Sequence, residues 1–143
     1  MVAVLRADGT LFDPEQFIAE SNLEACKLYR KDEPLFPKSK PEGKKHSTSG
    51  ITFIASNADF HDFCGQIEEA TSFLEINWNE LSRLRDFPGI ESVTLDFGIA
   101  QRDVMVQCDF LPPSLIRLAG ELGLGIEITQ YPTGEDEEES GTD

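Results

Sequence analysis

The sequence has few cysteines and no long hydrophobic run. Its three cysteines, Cys26, Cys64 and Cys108, form no CxxC pair, so the pattern argues against a disulfide framework or a zinc knuckle and favours a reducing compartment. The first apolar run, residues 2–5, is too short for a signal peptide or a membrane span. We therefore expect a soluble, cytoplasmic protein that makes no membrane contact.

Basic side chains are scarce after residue 46. Residues 47–143 carry 19 acidic and 4 basic side chains, whereas residues 1–46 carry 8 of each, so the later segment accounts for the whole net charge of −15. Such a surface repels polyanions and argues against nucleic-acid binding. Seven of the 12 basic residues fall between Lys27 and Lys45. The charge distribution predicts a cationic protein as partner.

Signatures of catalysis and of cofactor binding are also missing. The chain has no GxGxxG, GxSxG, HExxH or GxxxxGK[ST] motif. His61 has acidic neighbours, but its place at the predicted start of a helix favours an exposed side chain over a metal ligand. Cys64 and Cys108 fall on apolar faces, which predicts that they are buried. We predict no cofactor and no metal site.

The length predicts one α+β domain over residues 1–132, followed by a disordered acidic tail over residues 133–143. Apolar periodicity and turn residues predict six strands and three helices in the order β-α-β-β-α-β-β-α-β. The predicted strands are 2–5, 24–30, 51–55, 92–97, 103–110 and 126–129. Residues 31–50, which are rich in proline, glycine, serine and lysine, are predicted to form a long surface loop.

The clearest helix pattern covers residues 60–85. Phe60, Ile67, Leu74 and Leu81 repeat every seven residues and predict one apolar stripe. Asn77 interrupts the second apolar row and has capping-box spacing to Glu80, so we expect a bend there; one helix or two stays open. The other predicted helices begin at the prolines after Asp13 and Leu111, and the last one ends at a glycine near residue 123.

Residues 92–110 are predicted to form a β-hairpin with a six-residue turn at 98–103. Its solvent face would carry Asp96, Asp103 and Asp109. Three clustered carboxylates could bind a divalent cation, but solvated strand faces have the same pattern, and we prefer that interpretation. The first six elements have the ferredoxin-like βαββαβ order, which predicts a largely antiparallel or mixed sheet with helices on one face and the other face partly exposed.

Several segments together resemble a family of small bacterial proteins classified as a domain of unknown function. They are Leu28-Tyr29-Arg30-Lys31, His46-Ser47-Thr48-Ser49-Gly50, Phe87-Pro88-Gly89-Ile90-Glu91, Leu95-Asp96-Phe97-Gly98 and Leu111-Pro112-Pro113-Ser114-Leu115. The resemblance covers about residues 1–132. It implies an α+β domain and no particular substrate.

Two functions follow from these observations. The first is a non-enzymatic, acidic protein-interaction module, immunity-like or regulatory, that docks a cationic partner. The alternative is a small-molecule-binding or hydrolytic domain with a pocket between the exposed sheet face and the 31–50 loop. A homodimer joined through the free sheet face is a third possibility. The candidate contact residues are Arg30, Lys31, His46, Asp96, Asp103 and Asp109.

Overall fold

One mixed sheet organises the computed structural model, which describes residues 3–132. The predicted disordered tail, 133–143, lies outside the described residues. The strands are β1 (Ala3–Gly9), β2 (Lys27–Tyr29), β3 (Pro34–Phe36), β4 (Lys40–Lys45), β5 (Ser49–Ser56), β6 (Ser92–Ala100) and β7 (Gly125–Tyr131). The helices are α1 (Pro14–Ala19), α2 (Phe63–Ile76), α3 (Trp78–Arg85) and α4 (Pro113–Glu121).

The main sheet has the strand order β2-β5-β1-β6-β7. The first four strands in this order pair antiparallel, and β6 pairs parallel with β7. β5 therefore lies between β1 and β2, which is the split βαβ arrangement expected of a ferredoxin-like element order. The crossover through α4 adds β7 at the edge. The predicted α+β class with a mixed sheet is confirmed.

A single apolar core fills the space between the sheet and the helices. β1 alternates along its length, and Ala3, Leu5 and Ala7 are fully buried. Phe17 of α1 packs edge-to-face against Phe53 of β5, with ring centroids 6.4 Å apart. All four helices contribute to this core, so they cover the same side of the sheet. Among residues 3–132, no helix covers the opposite side, which we call the open face.

The long apolar stripe forms two helices that meet at Asn77. Its backbone ends α2 and begins α3, and its side-chain amide donates to the carbonyl oxygen of Phe73 at 3.0 Å. The predicted bend is therefore confirmed. The predicted capping box does not form, because the Asn77 side chain bonds backwards to α2 and caps no N–H of α3.

The predicted boundaries of α4 are confirmed. The helix begins at Pro113, and Gly123 follows it with a positive φ of 71°. This left-handed conformation favours glycine and ends the helix. Within residues 3–132, none of the helices combines the length and the apolar character that a membrane crossing needs.

The prediction of a loop over residues 31–50 is wrong, because this segment contains the β3–β4 hairpin. Pro34 pairs with Lys45, and Phe36 pairs with Lys40. Proline is tolerated in a two-stranded ribbon whose outer edge is unpaired. The ribbon is solvated on both sides, so its residues show none of the apolar alternation that identifies half-buried strands.

The prediction of a strand over residues 103–110 is also wrong. β6 continues past the predicted turn because Gly98, Ile99 and Ala100 pair with β7. The segment from 101 to 112 is an irregular loop, closed by a hydrogen bond from the Arg102 guanidinium to Asp109 at 3.1 Å. Its apolar residues alternate in sequence without being buried, and Met105 is fully exposed.

Candidate functional site

Arg6 lies near the middle of the open face. Residues directly opposite one another on paired strands share a face. The register places Arg6 of β1 opposite Thr52 of β5 on one side and Thr94 of β6 on the other, and Thr52 lies opposite Lys27 of β2. A row of polar side chains therefore crosses the uncovered side of the sheet.

Two carboxylates hold the Arg6 guanidinium in place. Nη1 donates to Asp96 of β6 at 2.7 Å, and Nη2 donates to Glu127 of β7 at 2.5 Å. Asp96 also accepts from the Thr129 hydroxyl at 2.7 Å. Partial burial lowers the pKa of Arg6, but the hydrogen bonds to both carboxylates outweigh it and raise that pKa. Arg6 therefore stays charged and oriented, and a guanidinium has five N–H donors.

Tyr29 of β2 packs over Gly50 of β5, its partner across the ladder. A Cβ at position 50 would overlap the Tyr29 hydroxyl and lie 2.9 Å from Cε1, so the ring occupies the space that a side chain there would fill. Burial raises the pKa of Tyr29 above its usual 10, the Asp8 carboxylate raises it further, and a hydrogen bond with Thr48 lowers it. The phenol is neutral at physiological pH.

The base of the hairpin fixes His46 beside this ring. The Asp32 N–H donates to the His46 carbonyl, and the His46 N–H donates to the Glu33 carbonyl, both at 2.9 Å. The imidazole stacks on Tyr29 with ring centroids 4.3 Å apart and an interplanar angle of 20°. The β3–β4 hairpin thus carries an aromatic, ionisable side chain onto the open face.

These side chains line an open cleft of about 450 Å³ on the sheet, beside the base of the hairpin, which we call the open-face cleft. Its volume lies within the usual range of about 300–1,000 Å³ for small-molecule sites. The cleft is lined by Val4, Arg6, Cys26, Lys27, Tyr29, His46 and Thr52. Two of these residues are lysine or arginine, one is histidine and none is acidic, although residues 3–132 contain 21 acidic side chains against 12 lysines and arginines.

The structure brings only two of the predicted contact residues to this site. His46 lines the cleft, and Asp96 holds Arg6 beside it. Arg30 instead pairs with Glu15 of α1 at 2.6 Å, and the backbone N–H of Lys31, whose side chain is exposed, donates to Ser49 at 2.8 Å.

The predicted cluster of Asp96, Asp103 and Asp109 does not form. Asp96 lies on β6, whereas the other two belong to the 101–112 loop, where Asp109 pairs with Arg102 and Asp103 is exposed. Between residues 3 and 132, no group of three or more histidine, cysteine and acidic side chains could hold a metal ion.

The sequence prediction missed Arg6, Lys27 and Tyr29. A signal for Arg6 was present, because it alternates with buried Leu5 and Ala7 and so had to lie on the polar face of the first strand. Lys27 and Tyr29 meet it only through the β2–β5 and β5–β1 pairings. Local sequence patterns do not encode this register.

The prediction that Cys64 and Cys108 are buried is wrong, because both are exposed. They line a second cavity of about 530 Å³ between the start of α2 and the 101–112 loop. Its charged groups are largely committed: Arg102 pairs with Asp109, and Asp62 caps α2 by accepting from the Gly65 N–H at 3.0 Å. Arg6 of the open-face cleft is paired as well, but that cleft has no acidic lining residue and also has Lys27, so it is the better candidate site.

No family model, curated protein or solved structure matches this chain. The resemblance to a family of unknown function stays a prediction. The functional argument depends on the geometry of the open face.

Proposed function

We propose that the protein is a non-enzymatic, small-molecule-binding module and that its ligand occupies the open-face cleft. The observation that carries this proposal is the convergence of Arg6, Lys27, Tyr29 and His46 on one cavity of about 450 Å³. Binding sites typically combine apolar walls with a few placed polar groups. The cleft has both.

Preorganisation of the polar groups supports the same proposal. Asp96 and Glu127 orient Arg6 before any ligand arrives, and stacking on Tyr29 orients the imidazole of His46. A ligand then binds without the entropic cost of ordering those side chains. Hydrolysis, the other version of this prediction, has less support. The side chain that is held most firmly is Arg6, and a guanidinium donates hydrogen bonds to a ligand rather than acting as a nucleophile or a base.

Filling the cleft tests this proposal. Thr52→Trp places an indole inside the cavity, whereas the matched control Ile116→Trp adds the same ring to the half-exposed outer side of α4. In a fragment screen by ¹H–¹⁵N correlation spectra, fragments that bind the wild type and the control should shift the amides of β2 and β5. We expect Thr52→Trp to lose those shifts.

Thr52→Trp must be folded for the comparison, so its thermal unfolding is measured in parallel. If it is unfolded, Val4→Trp fills the same cavity from β1. Fragments that bind a folded filled variant as tightly as the wild type would refute the cleft as the site. A screen in which no fragment shifts β2 or β5 would also refute it.

Docking of a cationic protein is a second proposal, and one surface favours it. A groove of about 440 Å³ runs along the outer side of α2, where Glu68 and Glu69 flank Phe73 and the exposed Ile76. An apolar strip with an acidic rim suits a basic amphipathic segment.

A synthetic amphipathic peptide of lysine and leucine tests this second proposal by fluorescence anisotropy. We expect it to bind at low salt, to weaken about threefold or more with Glu68→Lys, and to be unaffected by Glu121→Lys on α4. Equal weakening by both variants would show that only the overall charge matters and would rule out the groove.

The homodimer and the cytoplasmic location also stay predictions.

A further inference from the structure

We propose that the ligand of the open-face cleft is a small organic anion, a carboxylate or a phosphate ester, whose apolar part lies against Val4 and Tyr29. This inference depends on the proposed function, because it names the chemical class of the molecule that the cleft would bind. It follows from the basic side chains that line the cleft. It also follows from the position of the carboxylates that pair with Arg6, which lie on the side of β1 away from the cleft.

The cleft is lined by basic side chains in an acidic protein. Arg6, Lys27 and His46 line the cleft and no carboxylate does, whereas the groove along α2 has two glutamates and the cavity beside the 101–112 loop has Asp62, Glu68 and Asp109. Anions are repelled by most of such a surface and accumulate where basic groups converge. The open-face cleft is such a place.

The carboxylates that bind Arg6 do not close its cleft side. Asp96 and Glu127 belong to β6 and β7, whereas the strands that line the cleft beside Arg6 are β2 and β5. β1 lies between these two pairs, so the carboxylates hold the guanidinium from one side while the cleft lies on the other. These carboxylates offset the charge of Arg6, so it contributes the directed hydrogen bonds of its remaining donors, and the positive charge that attracts an anion is that of Lys27.

Lys27 adds a second basic group to the lining of the cleft. Its side chain is exposed, and its ammonium lies 5.8 Å from the centre of the Tyr29 ring. An anion beside Arg6 would therefore have the ammonium of another lining residue, Lys27, nearby, while Tyr29 and Val4 provide apolar contact. Benzoate and phenyl phosphate combine these features and serve as probes.

A matched set of four probes tests the inference: benzoate, phenyl phosphate, benzyl alcohol and benzylamine. All four carry one phenyl ring, so they differ chiefly in the charge of the polar group. We expect the two anions to shift the amide signals of β2 and β5 in ¹H–¹⁵N spectra, with binding weakened by 0.5 M salt. Benzyl alcohol should bind at least fivefold more weakly than benzoate, and benzylamine more weakly still.

Lys27→Met separates charge from shape. This variant keeps a long side chain and should weaken benzoate binding about two- to fivefold, the effect of one exposed charge pair, while benzyl alcohol is unaffected. Lys38→Met, in the turn of the β3–β4 hairpin and outside the cleft lining, is the matched control and should leave benzoate binding unchanged.

The outcomes distinguish this inference from the proposed function. If benzyl alcohol or benzylamine binds the cleft as well as benzoate does, the anionic class is wrong and the binding module stands. If the anions bind but Lys27→Met and Lys38→Met weaken them equally, the charged lining is not responsible. If none of the four shifts the cleft signals, the anionic class is refuted, and the fragment screen then decides whether the cleft binds other molecules.

Discussion

Replacing Gly9 with alanine is expected to lower the free energy of unfolding by about 3 kcal/mol, because overpacking against immobile backbone has costs at the upper end of the usual range. A Cβ on Gly9 would overlap the carbonyl oxygen of Gly89 and lie 2.9 Å from its carbonyl carbon. The obstacle is main chain, so no side-chain rotation relieves the overlap. Gly89 itself has a positive φ of 91° and contacts the backbone at Leu11 and Phe12, which limits its movement.

This contact lies where the end of β1 meets the turn before β6. The Glu91 N–H donates to the Asp8 carbonyl at 2.9 Å, and the Thr10 hydroxyl donates to the Glu91 carboxylate at 2.8 Å. Separating the two segments would weaken both bonds. Urea denaturation measures the loss.

Gly120→Ala is the matched control, because a Cβ there meets nothing within 4 Å and the residue lies inside α4. Alanine has the higher helix propensity, so this control should be about 0.5–1 kcal/mol more stable than the wild type. A Gly9→Ala protein as stable as the wild type would show that the two backbones do not approach as closely as the structure places them.

Gln66→Leu is expected to cost about 2 kcal/mol, because it removes two hydrogen bonds, one of them the buried bond to the carbonyl oxygen of Gly98. The fully buried Gln66 amide donates to the carbonyl oxygen of Asp59 at 3.1 Å and to that of Gly98 at 2.8 Å. These bonds join the start of α2 to β6. Leucine keeps the apolar contacts of the side chain and loses both bonds.

One effect of the substitution opposes this loss of stability. The Gln66 Oε1 atom is buried without a partner among the described residues, and leucine removes that polar atom. The Asp59 carbonyl also keeps its hydrogen bond from the Asp62 N–H at 2.8 Å, so the expected cost stays below the penalty for two unpaired carbonyls. Gln16→Leu, on the exposed side of α1, should change stability by less than about 0.5 kcal/mol in the same thermal unfolding experiment. Equal effects of the two substitutions would exclude the bridging role of Gln66.

The elements that the sequence predicted correctly are those with strong local signals. Pro113 and Gly123 bracket α4, and Asp13 caps α1 by accepting from the Gln16 N–H at 3.3 Å. These features depend on a few adjacent residues. The apolar stripe of α2 and α3 was equally clear because its leucines face one core.

The two wrong predictions of secondary structure come from segments whose apolar and polar residues do not separate into a buried face and an exposed face. In the 101–112 loop, Val104 and Val106 alternate as strand residues do, yet the side-chain bonds of Arg102 hold the segment as a loop. In the β3–β4 hairpin both faces are solvated, so lysines occupy strand positions. Apolar alternation identifies strands only where one face is buried.

The open-face cleft could not be predicted from local patterns because its residues come from distant parts of the chain. Arg6, Tyr29 and His46 meet through the order in which β2, β5 and β1 pair, and that order is a property of the whole sheet. The prediction of a pocket between the sheet face and residues 31–50 named Arg30, His46 and Asp96, of which Arg30 pairs with Glu15 instead. Arg6 bonds to Asp96 and lines the cleft together with His46, and its place there becomes clear only when the strand register is known.

The most direct measurement of the central claim is a set of intermolecular nuclear Overhauser effects from benzoate bound to the wild-type protein. A ligand in the open-face cleft should give effects from its ring protons to the Val4 methyl groups and to the Tyr29 ring, since both residues line that cavity. Effects found instead at Phe63 and Phe110 would place benzoate in the cavity beside the 101–112 loop and contradict the account.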